Sequence, residues 1–211
     1  MSAPVFVCFA VPQEAKAFQK LVRGRAEVRV LVTGMGAQNA ERSVRASLDQ
    51  FQPARVFTCG FAGALDPALR IGDVVFDGQT TRAEVAEQLQ SLHALPARFL
   101  CSKSVAVTVA EKAALRSSSH ADVVEMESQI IQGVCAQRGV ECVTIRAISD
   151  TAHEDLPLNF NVLITADQQL SALRLGWAIM KAPQKIPALM RLGRNSARAA
   201  KQLAQVLVKI I

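Results

Sequence analysis

Short apolar runs rich in β-branched residues alternate along the chain with segments that carry apolar residues at helical spacing. A short apolar run predicts a buried strand, and apolar positions three and four residues apart predict an amphipathic helix. The predicted strands cover 5–10, 27–33, 55–59, 72–76, 99–107, 122–124 and 141–148, and the predicted helices cover 12–22, 38–51 and 127–138. Apolar strands separated by helices indicate a largely parallel sheet covered on both faces.

Two segments depart from this alternation. Residues 77–98 are polar and rich in glutamine, and they predict a loop or a surface helix. Residues 157–211 predict helices separated at Pro183 and Pro187, because proline interrupts a helical pattern. We therefore expect an α/β body over 1–156 and a basic helical extension over 157–211 that packs on the same domain.

Composition and charge change this picture in one respect. The chain has 211 residues, of which 50% are apolar and 20% charged, which fits one folded domain and excludes a disordered or fibrous protein. Its formal net charge is +6. This charge lies after Pro157, where eight basic residues accompany a single acidic residue, Asp167. The body is therefore nearly neutral, and the C-terminal segment is cationic.

Cysteine and histidine residues give no sign of a metal site or of disulfides. The five cysteines have no CxxC spacing, and the three histidines are scattered. No basic segment precedes the apolar start of the chain, and no apolar run reaches the roughly 18–20 residues of a membrane-spanning helix. We expect a cytoplasmic protein without a bound metal, with peripheral contact at the inner membrane surface left open.

Polar residues and glycine turns follow five of the predicted strands. Ligands of open α/β sheets bind beyond the carboxyl ends of the strands. The residues at these positions are Glu14, Gly34 to Gly36, Gly60 to Gly63, Glu125 to Ser128, and Ser149 with Asp150. Each has an ordinary explanation as a helix cap or a tight turn, and Gly34-Met35-Gly36 lacks the third glycine of a dinucleotide fingerprint. Their shared position indicates a site that binds hydroxyl groups and performs acid–base chemistry.

In this order, the segments resemble the nucleoside phosphorylase and nucleosidase superfamily, and they are most similar to the methylthioadenosine/S-adenosylhomocysteine nucleosidases. The matching segments are Ala10-Val-Pro-Gln-Glu14, Thr33-Gly-Met-Gly36, Gly60-Phe-Ala-Gly-Ala-Leu-Asp-Pro67, Gly72-Asp-Val-Val75, Val124-Glu-Met-Glu-Ser128 and Arg146-Ala-Ile-Ser-Asp-Thr-Ala152. The resemblance implies a three-layer α/β/α sandwich around a central mixed, largely parallel sheet, with helices at the C-terminus. It also implies cleavage of the N-glycosidic bond of a purine nucleoside that carries a modified 5′ group.

The resemblance further implies a role for individual residues. Asp150 would protonate N7 of the purine, and Glu14 would orient the attacking water. Glu127 would hold the ribose hydroxyls, and Met126 would pack against the sugar. The predicted substrate-binding set is completed by Glu125, Ser149, Phe61, Gly60, Gly36 and Met35. No cofactor is implied, although phosphate is a candidate co-substrate, and family members are commonly homo-oligomers.

Two positions depart from the family pattern. Phe61 stands where nucleosidases and phosphorylases usually have serine, and Thr58 stands where bacterial phosphorylases have a phosphate-binding arginine. Anion binding needs a guanidinium group or several N–H donors, so the phosphate site is incomplete. Hydrolysis and phosphorolysis both stay open, and so does a non-catalytic nucleoside-binding or scaffold protein that retains the fold.

The hopanoid-associated phosphorylases are similar in their apolar residue after the glycine, their Met-Glu-Ser motif and their basic, proline-containing C-terminal stretch. This resemblance implies a lipid-linked adenosyl substrate as one candidate. Residues 177–198 mix apolar and basic positions, which fits either a helix that covers the sheet or an interfacial helix at an anionic membrane. The tail lacks interleaved aromatic residues, so no nucleic-acid partner is expected.

Overall fold

A computed structural model describes residues 3–163, 165 and 171–211 of the chain. Within these residues, the strands are β1 (Val5–Phe9), β2 (Val28–Val32), β3 (Arg55–Ala64), β4 (Val74–Asp77), β5 (Leu95–Ala97), β6 (Phe99–Cys101), β7 (Val123–Glu125) and β8 (Glu141–Asp150). The helices are α1 (Pro12–Leu21), α2 (Ala37–Gln50), α3 (Ala83–Ser91), α4 (Val109–Ser119), α5 (Ser128–Gln137), α6 (Phe160–Leu163), α7 (Ala172–Lys181) and α8 (Ile186–Ile210). A 3-10 turn over Pro183–Lys185 joins α7 to α8.

The strands form a mixed sheet in the order β2-β1-β3-β8-β4-β5. Strands β2, β1, β3 and β8 run parallel, whereas β4 runs antiparallel to β8. The end of β3 also pairs antiparallel with β7, and β6 lies parallel along β7. The carboxyl ends of the four parallel strands therefore meet at one edge of the sheet, where the predicted site residues follow them.

Helices cover both faces of this sheet. On one face, α1, α3 and the second half of α8 bury apolar side chains against the strands, among them Phe18, Leu89 and Leu203. On the other face, α2 and α5 contribute Val44 and Ile131 to a second apolar layer. Strands that are apolar on both sides need cover on both sides. The predicted α/β/α sandwich with a mixed, largely parallel sheet is confirmed.

The glycine segment Gly60–Gly63 differs from the sequence-based prediction. It was expected to form a turn, but β3 continues through it to Ala64. Pairing with β8 continues beside it and shifts register between Ala62 and Gly63, so that Gly63 faces Asp150. The predicted turn is wrong because neighbouring strands on both sides supply backbone partners to this segment.

The middle of the chain holds two further differences. The predicted strand over 99–107 is wrong beyond Cys101, where the chain leaves the sheet and enters α4. Thr108 and Glu111 form a capping box at the start of α4, a signal that the sequence carries. The polar segment 77–98 contains the helix α3, as one of the two expectations had it, followed by the edge strand β5.

The C-terminal segment contains a helix boundary at Pro183 but none at Pro187. Pro187 lies in the first turn of α8, where a missing backbone N–H costs no helical hydrogen bond, and the helix runs without a break to Ile210. The second half of α8 lies in the core against β8, with Ala199, Leu203 and Leu207 buried. In the part of the chain that the structure describes, no helix is long and apolar enough to cross a membrane.

Candidate active site

A cleft of about 970 Å³ opens at the carboxyl edge of the sheet. Its floor consists of residues at the carboxyl ends of β1, β2, β3, β7 and β8 and just beyond them. Its roof consists of residues from α6, α7, α8 and the loop before α6. The lining is predominantly apolar. The polar exceptions on the floor include four carboxylates, those of Glu14, Glu125, Glu127 and Asp150, so acidic groups line the floor of an otherwise mostly apolar space.

Glu14, in the first turn of α1, is buried and held by the backbone. Its Oε2 accepts hydrogen bonds from the N–H groups of Ala10 and Val11 at 3.0 and 3.2 Å, and its Oε1 accepts one from Phe61 N–H at 2.8 Å. A Cβ atom at Gly60 would lie 2.7 Å from Oε1, so only glycine permits this approach. Burial raises the pKa of Glu14 above its usual value, against the opposing effect of these N–H donors. The result is a fixed carboxylate with increased basicity.

Glu127 precedes α5 and reaches across the cleft floor to the segment after β2. Its Oε1 accepts a hydrogen bond of 2.8 Å from Gly36 N–H. Burial raises its pKa to about 7, with Glu125 adding to the rise and Arg146 opposing it. The group therefore changes charge near neutral pH. Within the residues that the structure describes, its Oε2 accepts no hydrogen bond and is available to a ligand.

Glu125 also lines the cleft, but the protein itself bonds its carboxylate, and its predicted contact with substrate stays a prediction. Its carboxylate is buried and bonded to Arg146 Nη2 at 2.7 Å, to Ser128 Oγ at 2.7 Å, and to the N–H groups of Glu127 and Ser128. Burial alone would raise its pKa, but Arg146 and these donors outweigh burial and lower it. With both oxygens engaged, Glu125 fixes the start of α5 and thereby the position of Glu127.

Asp150 ends β8 and lies at the far side of the floor. Its Oδ1 accepts a hydrogen bond of 2.8 Å from Ser149 Oγ, and its Oδ2 lies 2.6 Å from Lys112 Nζ. Gly63 permits this position, because a Cβ there would lie 3.0 Å from Oδ2. Lys112 also donates to the carbonyl oxygens of Thr151 and Glu154. All three ammonium donors are therefore used to anchor the chain around Asp150.

The remaining predicted residues fall into two groups. Phe61, Met126, Met35 and Ser149 line the cleft, where they can contact a ligand. Gly36 and Gly60 are not among the lining residues of the described chain, and they act instead on Glu127 and Glu14. The structure gives these two glycines a positioning role, and their predicted contact with substrate stays a prediction.

Sequence reasoning did not assign Lys112 and Arg146 to the site. Lys112 is 1% exposed on α4, a helix that hydrophobic periodicity did not reveal, although its capping box could have done so. Arg146 lies within the matched motif of β8, and its guanidinium bonds Glu125 and the carbonyl oxygen of Thr58. A basic residue in the middle of an otherwise apolar strand is the signal for such a pairing, because a buried charge requires a partner.

The cleft offers little to a phosphate ion. Among the described lining residues, the only basic side chain is Lys16, which is exposed. Thr58 is buried and accepts hydrogen bonds from Arg146 through both its carbonyl and its hydroxyl oxygen. The described residues also include no group of three or more His, Cys, Asp or Glu placed to hold a metal ion.

Comparison with known proteins identifies the family. The family model described as the phosphorylase superfamily matches residues 8–92 and 79–175. The chain therefore belongs to the phosphorylase superfamily, as the motifs predicted. The prediction of an enzyme of the nucleosidase or nucleoside phosphorylase kind is confirmed as well.

The curated relatives and solved structures agree with this family. The chain is 27% identical to a 5′-methylthioadenosine/S-adenosylhomocysteine nucleosidase of Geobacillus thermodenitrificans, over 69% of this chain and 76% of the relative. A nucleosidase of the same name from Marinomonas sp. is 26% identical, over 71% of this chain and 79% of the relative. The structure superposes on futalosine hydrolase of Helicobacter pylori with a TM-score of 0.74 at 17% identity, covering 100% of this chain and 97% of that one. It also superposes on the structure of 5′-methylthioadenosine/S-adenosylhomocysteine nucleosidase from H. pylori that contains butyl-thio-DADMe-Immucillin-A. The TM-score is 0.75 at 15% identity, covering 100% of this chain and 98% of that one.

Proposed function

We propose that this protein hydrolyses the N-glycosidic bond of a purine nucleoside with a modified 5′ group and releases the purine base. The observation that carries the proposal is the set of three carboxylates, Glu14, Glu127 and Asp150, each held differently around one cleft floor. The curated relatives named above are nucleosidases, and this supports the same reaction class.

Each carboxylate supplies one part of the reaction. As the bond between the purine and C1′ breaks, its electron pair goes to the purine, and N7 receives a proton from the neutral, protonated form of Asp150. Lys112 stabilises the carboxylate that this transfer leaves on Asp150. Positive charge develops on the ribose, and Glu127 stabilises it while accepting hydrogen bonds from the ribose hydroxyls. Glu14 takes a proton from the water whose oxygen bonds to C1′. Exchange with solvent restores both groups, and the proposed reaction uses no cofactor.

Hydrolysis is favoured over phosphorolysis by the charges at the cleft. A phosphate co-substrate would require guanidinium groups or several N–H donors directed at one point. The cleft residues of the described chain provide the exposed Lys16 alone as a cation. Phe61, at the position usually occupied by serine, adds apolar surface where a phosphate would need donors.

The 5′ group that we propose is large and apolar. The cleft lies near the upper end of the range of about 300–1,000 Å³ in which proteins bind small molecules. Its roof is made of apolar side chains, including Leu156, Phe160, Leu175, Leu189 and Leu192. A lipid-linked adenosyl nucleoside, as in hopanoid metabolism, would fill this space, whereas a methylthio group would leave most of the roof without contact.

A product assay tests this proposal. Chromatography should detect free adenine and the free sugar when the protein is offered 5′-methylthioadenosine and 5′-alkylthio-adenosines of increasing chain length, with inosine as a comparison. We expect rates to rise with the length of the 5′ chain and to be independent of added phosphate. Asp150→Asn should lower the rate by about a thousandfold or more. Sugar 1-phosphate as the product would contradict hydrolysis, and nucleoside binding without base release would favour a non-catalytic protein.

A further inference from the structure

Helix α7 is apolar on two opposite faces. On the inner face, Leu175 lines the cleft. On the outer face, Leu173, Trp177 and Met180 are 84%, 57% and 71% exposed, and their spacing of four and three residues places them on one side of the helix. A helix that is apolar all round is normally covered on all sides. Within the described chain, the outer face of α7 has no such cover.

The start of α8 carries further exposed apolar side chains. Ile186 and Met190 are one helical turn apart and both are exposed, whereas Leu189 and Leu192 on the same helix turn into the cleft. We call the set Leu173, Trp177, Met180, Ile186 and Met190 the outer apolar face. Its members follow one another along 18 residues of chain, which distinguishes them from the scattered exposed apolar residues that every protein carries.

Basic residues accompany the outer apolar face. Lys181 Nζ lies 3.5 Å from the centroid of the Trp177 ring, and Lys185, Arg191 and Arg194 are exposed nearby in sequence. No acidic residue occurs anywhere after Asp167 in the sequence. Arg191 shares a small pocket with Glu154 and Asp155, but α7 and α8 themselves carry basic residues and no acidic ones. Apolar side chains accompanied by cations match a surface of apolar chains beneath anionic headgroups.

We propose that the outer apolar face docks on the surface of an anionic phospholipid bilayer, with α7 and the start of α8 lying in the interface. The charge decides between a bilayer and a second copy of this chain, because two copies meeting through this face would bring like charges together. It also decides against nucleic acid, since five large apolar side chains would gain nothing from contact with phosphates. The occupant that satisfies both the apolar and the cationic residues is anionic lipid.

Docking would place the cleft next to the bilayer. Leu175, Leu189 and Leu192, which line the roof of the cleft, lie on the same two helices as the outer apolar face, on their other side. If the proposed function holds, a nucleoside with an apolar 5′ group could pass from the bilayer into the cleft without crossing water. This consequence rests on the proposed function, but the docking itself does not.

The chain contains one tryptophan, and it lies in the outer apolar face. The fluorescence of the unmodified full chain therefore reports on docking directly. Vesicles of phosphatidylcholine with added phosphatidylglycerol should shift the emission of Trp177 to shorter wavelength and protect it from acrylamide, and the protein should float with the vesicles. Vesicles of phosphatidylcholine alone should have little effect, and high salt should weaken binding, because the charges act through a screened interaction.

Two variants separate docking from general adhesion. Leu173→Ser combined with Met180→Ser keeps Trp177 as the probe and should reduce vesicle binding about tenfold or more. Leu21→Ser combined with Leu95→Ser removes exposed apolar side chains outside this face and should leave binding unchanged. Both changes affect exposed positions, so unaltered circular dichroism is expected for each.

Specific results would overturn the proposal. It fails if the protein does not float with anionic vesicles, or if it floats while Trp177 stays fully accessible to acrylamide. It also fails if Trp177 is already protected without lipid and sedimentation shows a dimer that Leu173→Ser with Met180→Ser dissociates, because a second copy would then cover the face. Adenine release from 5′-methylthioadenosine in vesicle-free buffer, measured in parallel, tests the proposed function separately, since a protein without this activity could still bind lipid.

Discussion

The floor and the roof of the cleft are built on different principles. The floor consists of carboxylates at strand ends, fixed by backbone N–H groups and by two buried cations, Arg146 and Lys112. The roof consists of helices α7 and α8, whose apolar side chains face the cleft on one side and, in part, solvent on the other. Under the proposed function, the floor would carry out the chemistry and the roof would select the substrate.

This difference predicts how rate and specificity divide between the two regions. Under the proposed function, the floor would act on the purine and the ribose, and bonds between distant segments fix its geometry. The roof would contact the 5′ group and has few polar constraints. Changes to the floor should therefore alter rates for every substrate, whereas changes to the roof should alter the ranking of substrates.

The largest effect should come from Glu14→Gln. The amide keeps the shape of the side chain but cannot take a proton from water, so we expect kcat to fall about a thousandfold for all substrates. Initial rates of adenine release measure this. Glu84→Gln, at an exposed position on α3, is the matched control and should be neutral. A loss for Glu14→Gln that is confined to one substrate would break the distinction between floor and roof.

The next effect should come from Lys112→Met. Removing the ammonium leaves the buried Asp150 carboxylate and two carbonyl oxygens without their donor, so we expect kcat to fall about a hundredfold with little change in KM. The same change should destabilise the fold by about 3–5 kcal/mol, which urea unfolding would measure.

Lys112→Arg serves as the partner variant because it keeps the charge, and it should recover part of the rate. Lys103→Met, at an exposed position, controls for the loss of a lysine. If Lys112→Met loses stability but keeps the wild-type kcat, then Lys112 holds the fold together without positioning Asp150.

The floor was largely predictable from sequence and the roof was not. Glu14 and Asp150 lie at the carboxyl ends of parallel strands, which must meet at one edge of the sheet. Glu127 joins them from β7, which pairs antiparallel with the end of β3. The role of Lys112 was not predicted, because buried lysines are rare and its partner Asp150 is 38 residues away in the sequence. The position of α7 against the cleft was not predicted either, because periodicity shows which faces of a helix are apolar but not what each face contacts.

A smaller effect should appear in the pH dependence. The pKa of Glu127 is about 7, so its charged form is lost as pH falls below that value. If the ionised carboxylate binds the ribose hydroxyls, kcat/KM should decline about tenfold between pH 8 and pH 6, since kcat/KM follows the free enzyme.

Glu127→Gln identifies the group responsible. This variant should be slower at high pH and should lack the wild-type decline near pH 7. The ratio of wild-type to variant kcat/KM across the pH range isolates the contribution of Glu127 from that of Glu14, whose pKa is also raised. A decline of equal size in the variant would assign the titration to another floor residue.

The smallest effect should come from Leu189→Ala, and it should depend on the substrate. Leu189 lines the cleft from α8, where the proposed apolar 5′ group would lie, and truncation removes apolar contact without touching the floor. We expect kcat/KM to fall about three- to tenfold for a long 5′-alkylthio-adenosine and to stay unchanged for 5′-methylthioadenosine. Met190→Ala, on the next residue but facing solvent, should affect neither substrate in vesicle-free buffer. Equal losses for both substrates would mean that Leu189 supports the floor, and the separation between the two regions would then be weaker than their geometry indicates.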